Sequence, residues 1–324
     1  MRANLTTAGQ APHAQEARDS RWRLPGWRTL AAVGALVLCG ILIYRVAQAY
    51  SLAEVLAALR EVPMHRIALA GLCAAGSYAC LTLFDTLGLR YAGVRYPYPY
   101  VALTSFTSLS LGHTIGFAAL SSGAVRYRFY ARKGLTLEQL ARLVGFCGTT
   151  VGLGLSLLGG VALLAGPSFA AEMLPIGRTA TLAAGAVCLA IPTAYVGLCA
   201  FYRDTVHVWR WSFELPSLRL ALGQCAIGAL NYLLLAACLY QALAGLAEVD
   251  FAGVATAYAV ANVAALISHV PGGYGVLEGI VLVLLPGASV VGALVIFRVT
   301  YYLVPLALGA VCFGLSELYF RAKG

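Results

Sequence analysis

Two short polar motifs interrupt the long apolar stretches of this 324-residue sequence, and the first has the residue types of an anion site. Ser121, Ser122 and Gly123 stand just before Arg126 and Arg128. If a helix begins after the glycine, its free backbone N–H groups, the two hydroxyls and the two guanidinium groups can converge on a phosphate group. The alternative is that both arginines only anchor the chain at a membrane surface.

The second motif combines a tight turn with a carboxylate. Pro271, Gly272 and Gly273 allow the chain to reverse, and Glu278 then falls in the first turn of the segment that follows. Four roles are open to this carboxylate. It binds a cationic group, pairs with Arg126, carries a coupling proton, or only complements the dipole of its own helix.

A few charged and polar residues lie inside apolar segments, where a charge that faces lipid is costly. Arg298 follows Val295-Ile296-Phe297 and is therefore expected to face the protein interior. Its candidate partners are Glu278 and Asp85, either in a polar site or in a purely structural ion pair. Four more residues either line the same cavity or form hydrogen bonds between helices: His113, His269, Asn231 and Asn262.

The composition explains why these residues stand out. The chain is 60% hydrophobic and 11% charged, which is too apolar for one water-soluble core. Its net charge of +9 comes from cations scattered at the ends of apolar segments, so no basic face for nucleic acid is predicted. The nine cysteines lie in apolar runs without metal-type spacing, and no phosphate-binding glycine loop for ATP is present. We therefore expect an integral membrane protein without a metal or cofactor.

The elements that must position these residues are membrane helices. Apolar stretches cover residues 29–46, 67–89, 101–120, 141–165, 179–201, 218–246, 251–285 and 289–318. Two of them are abnormal. The stretch 101–120 breaks at 121–123 and resumes as the polar segment 124–130, and the stretch 251–285 is interrupted at 269–275. Both patterns are typical of a hairpin of two helical arms that enters and leaves the membrane on the same side.

The distribution of charge decides between a hairpin and a simple crossing. With both hairpins re-entrant, most of the 22 basic residues lie on the cytoplasmic side, and the loop that carries Glu248 and Asp250 lies outside. A simple crossing by 101–120 would place the basic cluster 126–142 outside, against this rule. The prediction is an all-α polytopic bundle with about six full spans and two re-entrant hairpins in an inverted repeat, the build of many transporters. Residues 1–28 form a cytoplasmic tail, 29–318 one transmembrane domain and 319–324 a cytoplasmic end.

Two of the motifs also resemble those of a known family. They are Ser-Gly-x-x-Arg-Tyr-Arg at 122–128 and Pro-Gly-Gly-x-Gly-x-x-Glu at 271–278, and further resemblance lies at 84–90 and 134–136. From about residue 30 to 320 the chain resembles the transmembrane flippase region of the lysylphosphatidylglycerol synthase/flippase family. That resemblance implies a translocator that moves aminoacylated phosphatidylglycerol to the outer leaflet and gives resistance to cationic antimicrobial peptides. It also assigns Arg126 and Arg128 to the cytoplasmic hairpin and Glu278 to the outer one.

The sequence departs from that family in one respect. Its bifunctional members carry a soluble aminoacyltransferase domain after the membrane region, whereas only residues 319–324 follow here, so synthase activity is not expected. Family members that lack the domain are associated with other lipids, including hopanoids. The sequence therefore leaves the identity of the carried lipid undecided.

These observations lead to one main expectation and two alternatives. The main expectation is a non-enzymatic lipid translocase of a bacterial inner membrane, with both termini cytoplasmic, whose partners are membrane phospholipids. Arg126 and Arg128 would hold a phosphate, and Glu278 with Arg298 would form a polar site near the membrane midplane. The alternatives are an accessory protein that scaffolds a lipid- or hopanoid-synthesising enzyme through residues 126–142, and a membrane-embedded lipid-modifying enzyme. Assembly into a homo-oligomer is compatible with each.

Overall fold

The computed structural model describes Leu56 and residues 59–115, 118–166, 170–172, 176–202, 206–208, 211–285 and 290–323. The predicted all-α membrane bundle is confirmed. Its helices are α1 (Met64–Tyr91), α2 (Tyr98–Ile115), α3 (Ala118–Tyr130), α4 (Leu137–Ala165), α5 (Arg178–Phe201), α6 (Leu218–Leu243), α7 (Phe251–Ser268), α8 (Val276–Leu284), α9 (Val290–Arg298) and α10 (Val304–Lys323). One short antiparallel ribbon, β1 (Val206–Val208) with β2 (Trp211–Phe213), connects α5 to α6.

Within the described residues, six helical segments are long and apolar enough to cross a membrane: α1, α4, α5, α6, α7 and the continuous segment Val290–Phe320. Five of these match predicted full spans. The sixth, α7, is the first arm of the predicted outer hairpin. The predicted first span, 29–46, and the N-terminal tail, 1–28, lie outside the described residues.

Helices α2 and α3 form an antiparallel hairpin. Near its open end the Tyr100 hydroxyl donates to the Phe129 carbonyl at 2.6 Å. Near its tip Gly112 lies against Ser122, where a Cβ on the glycine would come within 2.7 Å of the serine Cβ. The chain therefore returns to the side from which it came, as the charge distribution predicts.

The position of this break corrects the sequence prediction. Helix α3 already begins at Ala118, so Ser121, Ser122 and Gly123 lie inside the helix and not before it. The Ser121 hydroxyl donates to the Gly112 carbonyl at 3.2 Å. Small polar residues stand here because they let two helices approach closely and bond across the contact. Consequently Arg126 lies about two turns into α3, away from the free N–H groups of the helix start.

Helices α7 and α8 form the second hairpin, and its break lies where the sequence predicts it. Helix α7 ends at Ser268, His269 takes a left-handed conformation with φ of 53°, and a short 3-10 turn covers Pro271–Gly273. Gly275, with φ of 78°, precedes α8. At 1.5 Å per residue the nine residues of α8 reach only about 14 Å, against roughly 30 Å of hydrocarbon.

The two halves of the bundle run in opposite directions. Helices α1 and α6 are antiparallel, since Arg66 bonds to Gln241 near one end and Ser77 to Asn231 near the middle, both at 2.7 Å. Each is followed by a hairpin, and the two hairpin tips meet. A Cβ on Gly272 would lie 3.7 Å from the His113 carbonyl oxygen. This is the arrangement expected of an inverted repeat.

The last span contains a single π-helical stretch, Val299–Leu303, in which the Val304 N–H donates to the Val299 carbonyl five residues earlier. Pro305 follows it and has no N–H for the Tyr301 carbonyl, which the regular helical pattern would pair with it. That carbonyl instead accepts a hydrogen bond from the Tyr78 hydroxyl at 3.3 Å. The irregular stretch therefore ties the last span to α1.

Candidate functional site

A buried ion pair joins the first hairpin to α1. The Arg126 side chain is 3% exposed and that of Asp85 is fully buried, with Nη2 of the arginine 2.7 Å from Oδ1 of the aspartate. The Nε atom also donates to both carboxylate oxygens, and Nη1 donates to the Ser122 hydroxyl. The Tyr130 hydroxyl donates to the same carboxylate at 3.2 Å. Because the two opposite charges form hydrogen bonds with each other, the pair can remain buried inside the bundle.

Arg128 points elsewhere. It forms a two-pronged pair with Glu317 of α10, and Arg132 bonds to the same carboxylate at 2.8 Å. Residues two apart on a helix differ by about 200° in direction, so Arg126 and Arg128 face different neighbours. The predicted convergence of the two arginines on one anion is therefore not present in this structure.

The tip of the second hairpin is held by Arg298, which is fully buried. Its Nε and Nη2 atoms donate to the two carboxylate oxygens of Glu278. Its Nη1 donates to the Gly272 carbonyl at 2.5 Å and its Nη2 to the Gly273 carbonyl at 3.1 Å. These turn carbonyls have left the helical pattern, and a bonded cation satisfies them where water is scarce.

Aromatic rings complete this clamp. The Arg298 guanidinium lies 4.4 Å from the ring centre of Tyr274 and 4.6 Å from that of Tyr302. Glu278 also accepts the Gly275 N–H at 2.9 Å, which fixes the start of α8. Of the partners open in the sequence, the structure thus brings Glu278 to Arg298 and Asp85 to Arg126.

A cavity of about 420 Å³ lies where the hairpin tips meet the central helices. The four polar residues that the sequence grouped together all line it: His113, Asn231, Asn262 and His269. Asn231 lies near the middle of α6, so the cavity is at mid-depth in the bundle. The backbone of Gly272 and Gly273 forms part of the wall, which places the Arg298 clamp directly behind it.

Sequence reasoning missed the aromatic part of the wall. Four tyrosines line the cavity: Tyr232, Tyr258, Tyr301 and Tyr302. The Tyr301-Tyr302 pair three residues after Arg298 could have indicated these two wall residues, because a tyrosine hydroxyl in a membrane interior needs a polar neighbour. Tyr232 and Tyr258 carry no such local signal and come together only through helix packing.

His113 lines this cavity and lies near Tyr78, which lines a second, apolar cavity of about 390 Å³. Its ring lies 6.2 Å from that of Tyr301 and 6.4 Å from that of Tyr78, which lines the second cavity. The His113 Nδ1 atom is buried without a hydrogen-bond partner among the described residues. A buried polar atom of this kind normally has a partner, so the unpaired Nδ1 is an exception within the described residues.

Comparisons with known proteins give two relatives that match about three quarters or more of the chain. An uncharacterized protein of Synechocystis sp., slr0712, is 30% identical over 273 residues, which cover 83% of this chain and 85% of that protein. The inner membrane protein YbhN of Escherichia coli is 30% identical over 247 residues, which cover 74% of this chain and 77% of that protein. No family model matches the chain.

Proposed function

Since the chain belongs to the family of the inner membrane protein YbhN, we propose that it is a lipid translocase of a bacterial inner membrane. One observation carries the proposal. Two hairpins meet tip to tip, at mid-depth in the bundle, at a cavity whose largely apolar wall carries the polar side chains of His113, Asn231, Asn262 and His269. Inverted repeats with broken helices that meet near the midplane are the build of many transporters.

The polarity of the cavity supports a cargo with a polar head. Polar side chains in a membrane interior are costly unless they bond to each other or to something that passes. Here Asn262 lines the cavity, and Nδ1 of His113 is buried without a partner among the described residues. A volume of about 420 Å³ falls within the range of small-molecule sites, roughly 300–1,000 Å³. The headgroup would pass through this cavity while the acyl chains stay in the lipid.

The two buried ion pairs would hold the hairpins as rigid units during transport. Asp85–Arg126 fixes the first hairpin to α1, and Glu278–Arg298 fixes the second to α9. Alternating access requires that one such unit move against the other around a fixed site. The family resemblance adds the direction of movement, from the inner to the outer leaflet. It also gives aminoacylated phosphatidylglycerol as one candidate cargo, whose movement would result in resistance to cationic peptides.

The experiment is a translocation assay in liposomes with fluorescent phospholipids and an imposed proton gradient. We expect the wild type to accelerate movement and Asn262→Leu to slow it severalfold. Val263→Ala is the matched control, since Val263 is the next residue of α7 and is 43% exposed on the outer surface of the bundle. A wild type that accelerates no lipid would refute the proposal.

The orientation can be tested separately. The basic end of the bundle, where Arg142 pairs with Glu214 at 3.0 Å, is proposed to be cytoplasmic. The opposite end, which carries Glu248, is proposed to lie outside. In a variant without reactive native cysteines, Glu248→Cys should react with an impermeant thiol reagent on intact cells, and Lys133→Cys should react only after lysis. The reverse pattern would overturn this orientation.

A further inference from the structure

We infer that the lipid carried has a hydroxyl-rich headgroup without an amine, a sugar or a glycerol, and not a cationic aminoacyl group. The inference rests on the proposed function and names the class of its cargo.

The charges around the cavity are the first step. Among the described residues that line it, none is Asp, Glu, Lys or Arg. The nearest charged groups are matched within the protein, because Glu278 holds Arg298 through both oxygens and Asp85 holds Arg126. A lysyl headgroup would enter this space without a carboxylate of its own, which is costly where water is scarce.

The aromatic wall does not change this balance. Tyrosine rings attract cations over their faces, which is how aromatic cages hold ammonium groups. Here the guanidinium of Arg298 already lies 4.6 Å from the ring centre of Tyr302. A second cation would find this ring already in contact with Arg298, and the other three tyrosines of the wall bring no carboxylate to balance its charge.

The hydrogen-bonding groups that remain match hydroxyls. Asn231 accepts from the Ser77 hydroxyl through Oδ1, which leaves its amide N–H groups for the cavity. The Asn262 amide donates and accepts, and Nδ1 of His113 is without a partner among the described residues. A hydroxyl also donates and accepts, so a polyol can satisfy both asparagine side chains of the cavity wall at once. The tyrosine rings of the wall offer flat apolar faces to the C–H groups of the same polyol.

The test compares four lipids with identical acyl chains in proteoliposomes: glucosyl diacylglycerol, phosphatidylglycerol, lysylphosphatidylglycerol and phosphatidylethanolamine. We expect a polyol-headed lipid to move about tenfold faster than the two that carry an amine, the factor expected for about one unsatisfied charge or hydrogen bond. The first two lipids distinguish a sugar head from a phosphate-linked glycerol. Equal or faster movement of the lysyl lipid would overturn the inference and leave the translocase proposal intact.

A single variant sharpens the comparison. Asn262→Asp keeps the size of the side chain and places an unpaired carboxylate in the cavity. The rate ratio of the lysyl lipid to the glucosyl lipid should then rise about tenfold, whereas Val263→Ala should leave the ratio unchanged. An unchanged ratio in a folded Asn262→Asp protein would contradict the inference.

Binding in detergent separates this inference from the proposed function. Native mass spectrometry of the wild type with glucosyl diacylglycerol and with lysylphosphatidylglycerol reports binding without transport. Preference for the glucosyl lipid that is lost in Asn262→Leu supports the headgroup class even if no lipid is translocated. Preference for the lysyl lipid, or none, overturns it.

Discussion

Replacing Arg298 by leucine should destabilise the protein by about 4 kcal/mol, and most of that cost comes from the carboxylate left behind. In the wild type Arg298 forms two hydrogen bonds to Glu278 and two to the carbonyls of Gly272 and Gly273. Hydrogen bonds between membrane helices average about 0.6 kcal/mol, so the two bonds to the carbonyls account for about 1 kcal/mol. A carboxylate that loses its buried partner costs about 3 kcal/mol.

The origin of the cost can be tested with a double-mutant cycle. Glu278→Gln keeps the acceptor for the Gly275 N–H and removes the charge, so Arg298→Leu in that background leaves no unpaired carboxylate. We expect the double variant to be more stable than the sum of the single changes by about 2–3 kcal/mol. Arg298→Lys should cost about 1–2 kcal/mol, since an ammonium cannot reach the carboxylate and both carbonyls at once.

The assay is reversible unfolding in bicelles, followed by steric trapping, which gives free energies of unfolding for membrane proteins. The reasoning would be refuted if Arg298→Leu cost less than about 1 kcal/mol, because a carboxylate that is only 16% exposed costs more than that when it loses its partner. It would also be refuted if the two single changes were additive, since additivity means that the residues do not interact.

Two further predictions concern other contacts. Asp85→Asn should lower the unfolding free energy by about 3 kcal/mol by leaving the 3%-exposed Arg126 unpaired, and Arg126→Gln in the same chain should recover more than half, as measured by the same unfolding assay. Gly228→Ala should destabilise the protein by about 1–3 kcal/mol, because the new Cβ would lie 2.7 Å from a backbone oxygen of α4. Gly152→Ala is the control: a Cβ there has no atom within 4 Å, so stability should change by less than about 0.5 kcal/mol. Equal effects of the two changes would contradict the close packing at Gly228.

The two hairpin breaks show how far local sequence goes. The break at 269–275 was predicted at the correct residues because Pro271 has no N–H and Gly272 can take a positive φ, of 61°. The first break was misplaced because Ser121, Ser122 and Gly123 have two meanings in a membrane helix. They interrupt a helix in one context and pack two helices closely in another, and only the neighbouring α2 shows which applies.

The sequence by itself determined the fold class, the spans within the described residues, and the existence of two hairpins. These follow from hydrophobic length and from the side on which basic residues collect, which are properties of single segments. It also determined that Arg298, Glu278 and Asp85 needed partners, since an unpaired charge in an apolar segment is costly.

Only the tertiary structure decided which partner each charge has and which groups share the cavity. Arg298 pairs with Glu278 and not with Asp85, although both carry the same charge, because the π-helical span and the second hairpin lie side by side. The sequence predicted Arg126 as a phosphate ligand, whereas in the structure it pairs with Asp85. Which charges pair depends on the distances between helices that are remote in sequence. These distances cannot be predicted from the properties of a single segment.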